Sequence, residues 1–153
     1  MFGQGEMRAV ARCAVIKPAA NRHDRPRSLY EVAERTRSGQ SFDPGLREFL
    51  DEFYGHPERR QDMISEEPCA VEVVQDAYLA AVAEHLAECW RLRCPDWVQG
   101  ERRFLQRPFF AGGLENLKAT LLVESPVAFR RRMLFVGRDV LDRPRRLSAA
   151  GDR

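Results

Sequence analysis

Three residues with metal-binding side chains lie close together in the chain, namely His85, Cys89 and Cys94. His85 and Cys89 are four residues apart, so on a helix they would share one face. A zinc site needs a fourth ligand and usually has more closely spaced cysteine pairs. The alternative is a core thiol beside a partly exposed histidine. We therefore predict no metal and no cofactor, and we expect four reduced cysteines that are mostly buried.

Side chains that could catalyse a reaction form no supporting pattern. Acidic pairs such as Glu84 and Glu88 have helical spacing, which is typical of a solvated helix face. No glycine-rich loop follows a strand, so no phosphate-binding loop is predicted. A nucleophile, base and orienting group cannot be assembled from spacing alone. We predict no catalytic residues and a protein that is not an enzyme.

The strongest candidate for a binding function is a run of three arginines, residues 130–132, set among large apolar residues. On a helix, three successive residues spread over about 200–300°, so they cannot all face one partner. One interpretation is structural: the stem of Arg131 covers the core, and the other charges favour the helix C-terminus. The other interpretation is a basic surface that binds carboxylates or phosphates. Its partner-binding residues would be Arg130, Arg131, Arg132, Arg138, Arg143, Arg145 and Arg146.

Composition indicates the type of scaffold that carries these residues. The 153 residues are 44% apolar and 31% charged, which fits one globular domain. No apolar run approaches the ~18 residues of a membrane span, so no membrane contact is predicted. The first residues lack the apolar core of a signal peptide, and we expect a cytoplasmic location.

Charge is distributed unevenly along the chain. Residues 1–30 carry six basic and two acidic residues, a net charge of +4. Residues 31–124 carry 11 against 18, a net charge of −7, and residues 125–153 carry eight against three, a net charge of +5. Two basic ends around an acidic middle permit an anionic partner at the ends, including nucleic acid. They equally permit a homodimer in which ends meet middles.

Helix signals occur along most of the chain. Ser28 and Glu31 form a capping-box pattern, and Gly39 is typical of a helix end. Asp43 and Pro44 indicate a second N-terminus, and Ser125 and Pro126 indicate the last one, for a helix that runs to about Phe135. Other helices are expected at 58–64, 70–91 and 114–123, the last with Leu117, Leu121 and Leu122 inside.

These signals predict an all-α fold, a compact bundle of six to seven short helices in a single domain. We expect three parts: a weakly ordered basic N-terminal extension at 1–27, the helical domain at 28–136, and a basic C-terminal tail at 137–153. The apolar stripe of helix 70–91 is wide, which places that helix at the centre of the bundle. No convincing strand is found. Residues 93–107 are expected to form an irregular connection packed under the bundle.

Residues 28–143 resemble a family of small, uncharacterised bacterial helical proteins. The matching segments are LREFLDEFY (46–54), DAYLAAVAEHL (76–86), PDWV (95–98) and LLVESP (121–126), followed by AFRRR (128–132) and FV (135–136). Members tend to be encoded beside nucleotidyltransferase-like proteins, in an arrangement like that of toxin–antitoxin pairs. The resemblance implies a helical partner protein without catalytic residues.

The expected function is therefore a non-enzymatic interaction protein, an antitoxin that binds and neutralises a nucleotidyltransferase-like toxin encoded next to it. Its arginines would contact acidic groups of that partner. The alternative is a nucleic-acid-binding regulator that uses the basic N- and C-terminal ends. Such binding would weaken with salt, because each phosphate contact adds roughly 0.9 to the log–log salt slope on duplex DNA.

Overall fold

The helices and strands are those of a computed structural model that describes residues 25–113 and 115–143. Most of the N-terminal extension, and the tail residues Arg145 and Arg146, lie outside these residues. Six α-helices are present: α1 Leu29–Arg37, α2 Phe42–Gly55, α3 Arg60–Ser65, α4 Val73–Trp90, α5 Lys118–Glu124 and α6 Val127–Arg130. Short 3₁₀ helices occupy Pro57–Arg59, Asp96–Gln99, Glu101–Arg103 and Glu115–Leu117. The prediction of a compact, mostly helical single domain is confirmed.

Local signals place α1 correctly. The Glu31 N–H donates to Ser28 Oγ at 3.1 Å, as expected of an N-cap serine. The Glu31 carboxylate accepts instead from the Arg27 N–H, at 3.0 Å, one residue before the position that a capping box uses. Gly39 has a φ of +96° just beyond the helix, where a residue without a Cβ ends the helix at least cost.

The start of α2 lies two residues before the predicted one. Ser41 is the N-cap and α2 begins at Phe42, so Asp43 lies in the first turn and does not cap the helix. Pro44 is tolerated there because the first N–H groups of a helix have no intrahelical acceptor. Four apolar residues of α2 point into the core: Leu46, Phe49, Leu50 and Phe53.

Helix α4 lies at the centre of the fold, as its wide apolar stripe predicted. Its buried positions include five alanines and three larger aliphatic residues, together with two carboxylates, Asp76 and Glu84. It packs against α6 and against the 3₁₀ helices of residues 96–103. The prediction that Glu84 and Glu88 form a solvated face is therefore wrong for Glu84, which is buried. None of the described helices is long and apolar enough to cross a bilayer.

Tyr78 of α4 makes stability depend on alkaline pH. Its ring contacts Phe42 and Phe129, with centroids 5.8 and 5.2 Å apart. Burial, with a smaller contribution from Asp43, raises the pKa of Tyr78 to about 12. The folded pKa is above the unfolded one, so this stabilisation is complete below pH 10 and is lost as pH rises from 10 to 12.

We expect Tyr78→Phe to remove that alkaline loss, which is on the order of 2 kcal/mol because one pKa unit corresponds to about 1.4 kcal/mol. Denaturant unfolding at pH 9 and pH 11.5 measures it. Tyr30→Phe serves as the control, since Tyr30 lies on the partly exposed side of α1. Parallel declines in wild type and Tyr78→Phe would contradict the prediction.

Residues 93–107 form the expected irregular connection, and two side chains fix it in place. Trp97 Nε1–H donates to the Ile64 carbonyl at 3.2 Å. Arg103 is buried and donates to the Pro68 carbonyl at 2.7 Å. Its guanidinium lies 4.9 Å from the centre of the Trp97 ring and 3.5 Å from Asp76 Oδ1. A buried arginine, rather than an apolar residue, thus joins this segment to α4.

The C-terminal part departs from the predicted helices. The helix expected to run to Phe135 ends at Arg130, and Leu134–Phe135 forms a short strand, β2. Strand β2 pairs in parallel with β1, Phe109–Phe110, so the expectation of no strand is also wrong. Ser125 does not cap α6, whose N-cap is Pro126. The Ser125 hydroxyl instead accepts from the Val136 N–H at 2.8 Å and contacts the Leu121 carbonyl at 2.6 Å, which joins α5 to the end of β2.

Candidate protein-binding surface

Arg132 is one of the residues of the predicted basic surface, but it is completely buried in the structure. Its side chain is 0% exposed. The guanidinium donates to the carbonyls of Ala128 and Val98, at 2.8 and 2.9 Å, and lies 4.9 Å from the centre of the Phe104 ring. The prediction that Arg132 contacts a partner is therefore wrong. The residue fills a core position because its stem is apolar and its head finds acceptors inside.

Glu84 of α4 is the counter-charge of Arg132. Arg132 Nη2 lies 2.6 Å from Glu84 Oε2, and Arg131 Nη1 donates to Glu84 Oε1. Burial lowers the pKa of Arg132, while the hydrogen bond and charge of Glu84 act in the opposite direction. One buried carboxylate thus holds two consecutive arginines and attaches the turn after α6 to α4. Arg131 remains partly exposed, but its charge is already paired within the chain.

Two more of the predicted contact residues are also paired internally. Arg138 is well exposed and lies 3.4 Å from Glu124 Oε1. The Arg143 Nε–H donates to Asp51 Oδ1 at 2.9 Å, beside the Tyr54 hydroxyl, which donates to the Leu141 carbonyl. Residues 141–143 therefore bind back onto α2. Arg145 and Arg146 lie outside the described residues.

Among the described arginines of the predicted surface, Arg130 is the one that is exposed and has no ion pair within the described residues. It is exposed at the C-terminal end of α6, and it makes no ion pair with any of the described residues. Its neighbours three residues away on either side are Val127 and Met133, which are both exposed. The structure thus separates the arginine run into a buried residue, a paired residue and an exposed one.

Several exposed apolar side chains lie in the part of the chain that contains Arg130. Eight large apolar side chains are exposed among the described residues, and six of them lie between residues 109 and 133. We call these six the C-terminal apolar surface: Phe109, Leu117, Leu122, Val123, Val127 and Met133. They lie on connected elements, because the Phe109 N–H donates to the Met133 carbonyl at 2.8 Å and α5 packs against β2.

Helix α5 contributes two of these six residues, Leu122 and Val123. None of its seven residues is buried, although its sequence KATLLVE contains two leucines and a valine. The expectation that Leu117, Leu121 and Leu122 lie inside is therefore wrong for Leu117 and Leu122, which are exposed, while Leu121 is half-buried. A helix with apolar residues gains little stability unless they are buried against another element. Exposed apolar patches of this kind mark interaction surfaces.

Within the cysteine–histidine cluster, Cys89 and His85 contact each other on α4. Cys89 Sγ lies 3.5 Å from His85 Nε2, one turn away on α4. Among the described residues, no three His, Cys, Asp or Glu side chains meet in an arrangement that could hold a metal ion. Burial raises the pKa of Cys89 and lowers the pKa of His85, so both shifts favour the uncharged forms of the pair. The expectation of buried thiols is wrong for Cys89 and Cys94, which are exposed.

A shallow cleft of about 310 Å³ lies beside Trp97, between α3 and the segment that follows α4. Its central polar group, the Gln61 amide, bonds the backbone N–H and carbonyl of Arg93, at 2.8 and 3.1 Å. The same amide donates to Ser65 Oγ at 3.1 Å. These groups satisfy one another, and the lining lacks a nucleophile paired with a base.

No protein-family model, curated protein or solved structure matches this chain. The interpretation of the site therefore depends on the geometry of the C-terminal apolar surface and of Arg130.

Proposed function

We propose that this chain is a non-enzymatic interaction protein that binds a second protein through its C-terminal apolar surface. The observation that supports this most directly is α5, a helix with exposed Leu122 and Val123 and no buried residue. Burying those side chains against a partner would contribute roughly 25 cal/mol per Å² of apolar area, which offsets the entropy cost of ordering the helix.

The charge at this surface indicates the chemistry of the partner. Arg130 is exposed between Val127 and Met133, without an ion pair among the described residues. An arginine beside apolar anchors is a typical hot-spot composition, and its planar head pairs well with a carboxylate. A second copy of this chain docked through the same surface would bring a second Arg130 to the interface, where an additional like charge opposes association. An acidic protein surface is the better match.

The resemblance described above supplies a specific partner, a nucleotidyltransferase-like protein encoded beside the gene. Proteins of that kind carry carboxylates that hold their metal ion, which suits an arginine-centred surface. The proposed function is then that of an antitoxin, which neutralises the partner by covering an acidic functional face.

The nucleic-acid alternative receives less support from the ion pairs. Arg131, Arg132, Arg138 and Arg143 all bind carboxylates of this chain. Phosphate binding at these positions would require those internal pairs to break. The exposed region beside them is apolar, whereas nucleic-acid surfaces are dominated by charge.

Co-expression of the chain with the neighbouring nucleotidyltransferase-like protein, followed by size exclusion, tests the proposal. We expect the wild type to co-elute with it. Val123→Glu should reduce the affinity at least about tenfold, because a desolvated carboxylate would replace an apolar contact. Val73→Glu is the matched control, since Val73 is 69% exposed at the start of α4 and Val123 is 78% exposed on α5.

Separate outcomes would contradict separate parts of the proposal. Elution of the wild type alone would remove the partner protein. Equal co-elution of Val123→Glu and wild type would exclude the C-terminal apolar surface as the contact. Binding of duplex DNA that weakens steeply with salt and is unaffected by Val123→Glu would favour the nucleic-acid alternative.

A further inference from the structure

Met133 combines an unfavourable backbone conformation with an exposed apolar side chain. Its φ is +57°, in the left-handed region that residues with a Cβ rarely adopt. Its side chain is 41% exposed. Asparagine and glycine adopt this conformation at much lower cost than methionine does. The sequence therefore has a less suitable residue at this position than the backbone alone would favour.

Neighbouring residues impose the left-handed conformation. Arg132 and Leu134, on either side of Met133, are both fully buried. The Met133 N–H donates to the Arg130 carbonyl at 2.9 Å, and the Met133 carbonyl accepts from the Phe109 N–H at 2.8 Å. The chain must leave α6, reverse direction and enter β2 within these few residues. The backbone at 133 is thus fixed whatever its side chain is.

The Met133 side chain lies outside the hydrophobic core. The residue is 41% exposed and does not belong to the core or to the partly buried residues that pack against it. A strained residue held by its surroundings is typical of a functional position. Methionine is an adaptable side chain that fills irregular apolar pockets, which suits a contact with another molecule.

We infer that Met133 is the specificity-determining anchor of the C-terminal apolar surface, and that it enters an apolar pocket bordered by carboxylates on a protein partner. This inference rests on the proposed function and assigns the role of specificity-determining anchor to one residue of that surface. Charge complementarity selects the partner: Arg130, three residues earlier, offers a cation to the carboxylates at the rim of the pocket. The rigid turn presents both side chains before binding, which lowers the entropy cost of association.

The test compares stability and affinity in three variants of the full chain, with the neighbouring nucleotidyltransferase-like protein as the probe. Met133→Asn should raise the thermal midpoint by about 2–4 °C, because the left-handed strain is relieved. It should also weaken binding at least about tenfold, because the apolar anchor is lost. Met133→Leu keeps the strain and an apolar side chain, so we expect a midpoint near that of the wild type and binding within about threefold.

Arg91 provides the matched control, since it is the other described non-glycine residue with a positive φ, +54°. It caps the C-terminus of α4 and is not one of the six residues of the C-terminal apolar surface. Arg91→Asn should raise the midpoint by a similar amount and leave binding unchanged. This control separates loss of the anchor from any general effect of a more stable fold.

The outcomes distinguish the inference from the proposed function. A higher midpoint with weakened binding in Met133→Asn, together with retained binding in Met133→Leu and Arg91→Asn, supports the inference. A wild-type chain that binds while Met133→Asn binds equally well overturns the inference and leaves the proposed function standing. A wild-type chain that does not bind the probe overturns both. A homodimer that Met133→Asn dissociates would replace the acidic partner with a second copy and overturn the assignment of the occupant.

Discussion

Replacement of Glu84 by alanine is expected to lower the free energy of unfolding by about 3–5 kcal/mol, the usual cost of leaving a buried charge without its partner. Glu84 lies 2.6 Å from the guanidinium of Arg132, whose side chain is fully buried. Removing the carboxylate leaves Arg132 with two carbonyl acceptors and no counter-charge. Since a domain is stable by about 5–15 kcal/mol, this loss is a large part of the total.

Urea denaturation measures this loss, and Glu88→Ala is the matched control. Glu88 lies one turn further along α4 and is exposed, so its replacement should change stability by less than about 0.5 kcal/mol. The double variant Glu84→Leu, Arg132→Met should recover most of the loss, because apolar residues replace both charges. A loss below about 1 kcal/mol for Glu84→Ala would show that Arg132 finds enough compensation in the backbone carbonyls.

The second large effect is expected from Arg103→Ala, again about 3–5 kcal/mol. Arg103 is fully buried and contacts Asp76, the Pro68 carbonyl and the Trp97 ring. Without it, Asp76 keeps the Val71 N–H, at 3.0 Å, as its hydrogen-bond donor among the described residues. Residues 96–103 would then lose their buried ion pair with α4.

Arg102→Ala tests whether burial or mere proximity causes this effect. Arg102 donates to Glu67 and to the Pro68 carbonyl, both at 2.9 Å, and Arg103 donates to the same two groups. Its side chain is 43% exposed, against 0% for Arg103. Solvent-exposed ion pairs contribute about 0–1 kcal/mol, so we expect a small loss for Arg102→Ala. Similar losses for the two variants in denaturant unfolding would refute the importance of burial.

Helices with strong local signals were predictable from the sequence. Ser28 and Gly39 define α1 through capping interactions that depend only on nearby residues. The Asp43-Pro44 pair predicts a cap followed by the first helical residue, so the predicted start of α2 lies after the observed one. Proline fits several positions of a first turn, since none of them needs its N–H. Existence and type of these helices follow from local chemistry, whereas their first residue does not.

The C-terminal strand could not be predicted because its pattern includes a buried arginine. Residues 132, 134 and 136 are buried, and 133 is exposed, which is the alternation of a strand. Because arginine is a polar residue type, the sequence does not show the alternation of buried and exposed residues at 132–136. The apolar residues that follow Arg132 therefore favour a continued helix. The burial of the α5 side chains could not be predicted for a different reason. Its leucines indicate burial, but a sequence does not say whether they are buried within the chain or against another molecule.

Most of the candidate site was likewise beyond the sequence. Arg130 was identified, but its separation from Arg131 and Arg132 depends on Glu84, a residue 47 positions before Arg131. Glu84 looked like one of many helical carboxylates. One signal could have singled it out, namely that Glu84 and His85 interrupt a run that is otherwise apolar from Leu79 to Ala87. A charge at such a position requires a distant partner of opposite sign.

The pairing of Glu84 with Arg131 also bears on how the protein is made. A ribosome adds about 5–20 residues per second, so the two arginines follow Glu84 by roughly 2–9 s. Early in that interval α4 is completed, and the central helix then carries a carboxylate whose two arginine partners have not yet been synthesised. In a nascent chain that ends before residue 131, Glu84 would lack both arginines, so α4 could not adopt its final packing. A single acidic residue in the middle of the chain therefore delays completion of the core until the last helix has been translated.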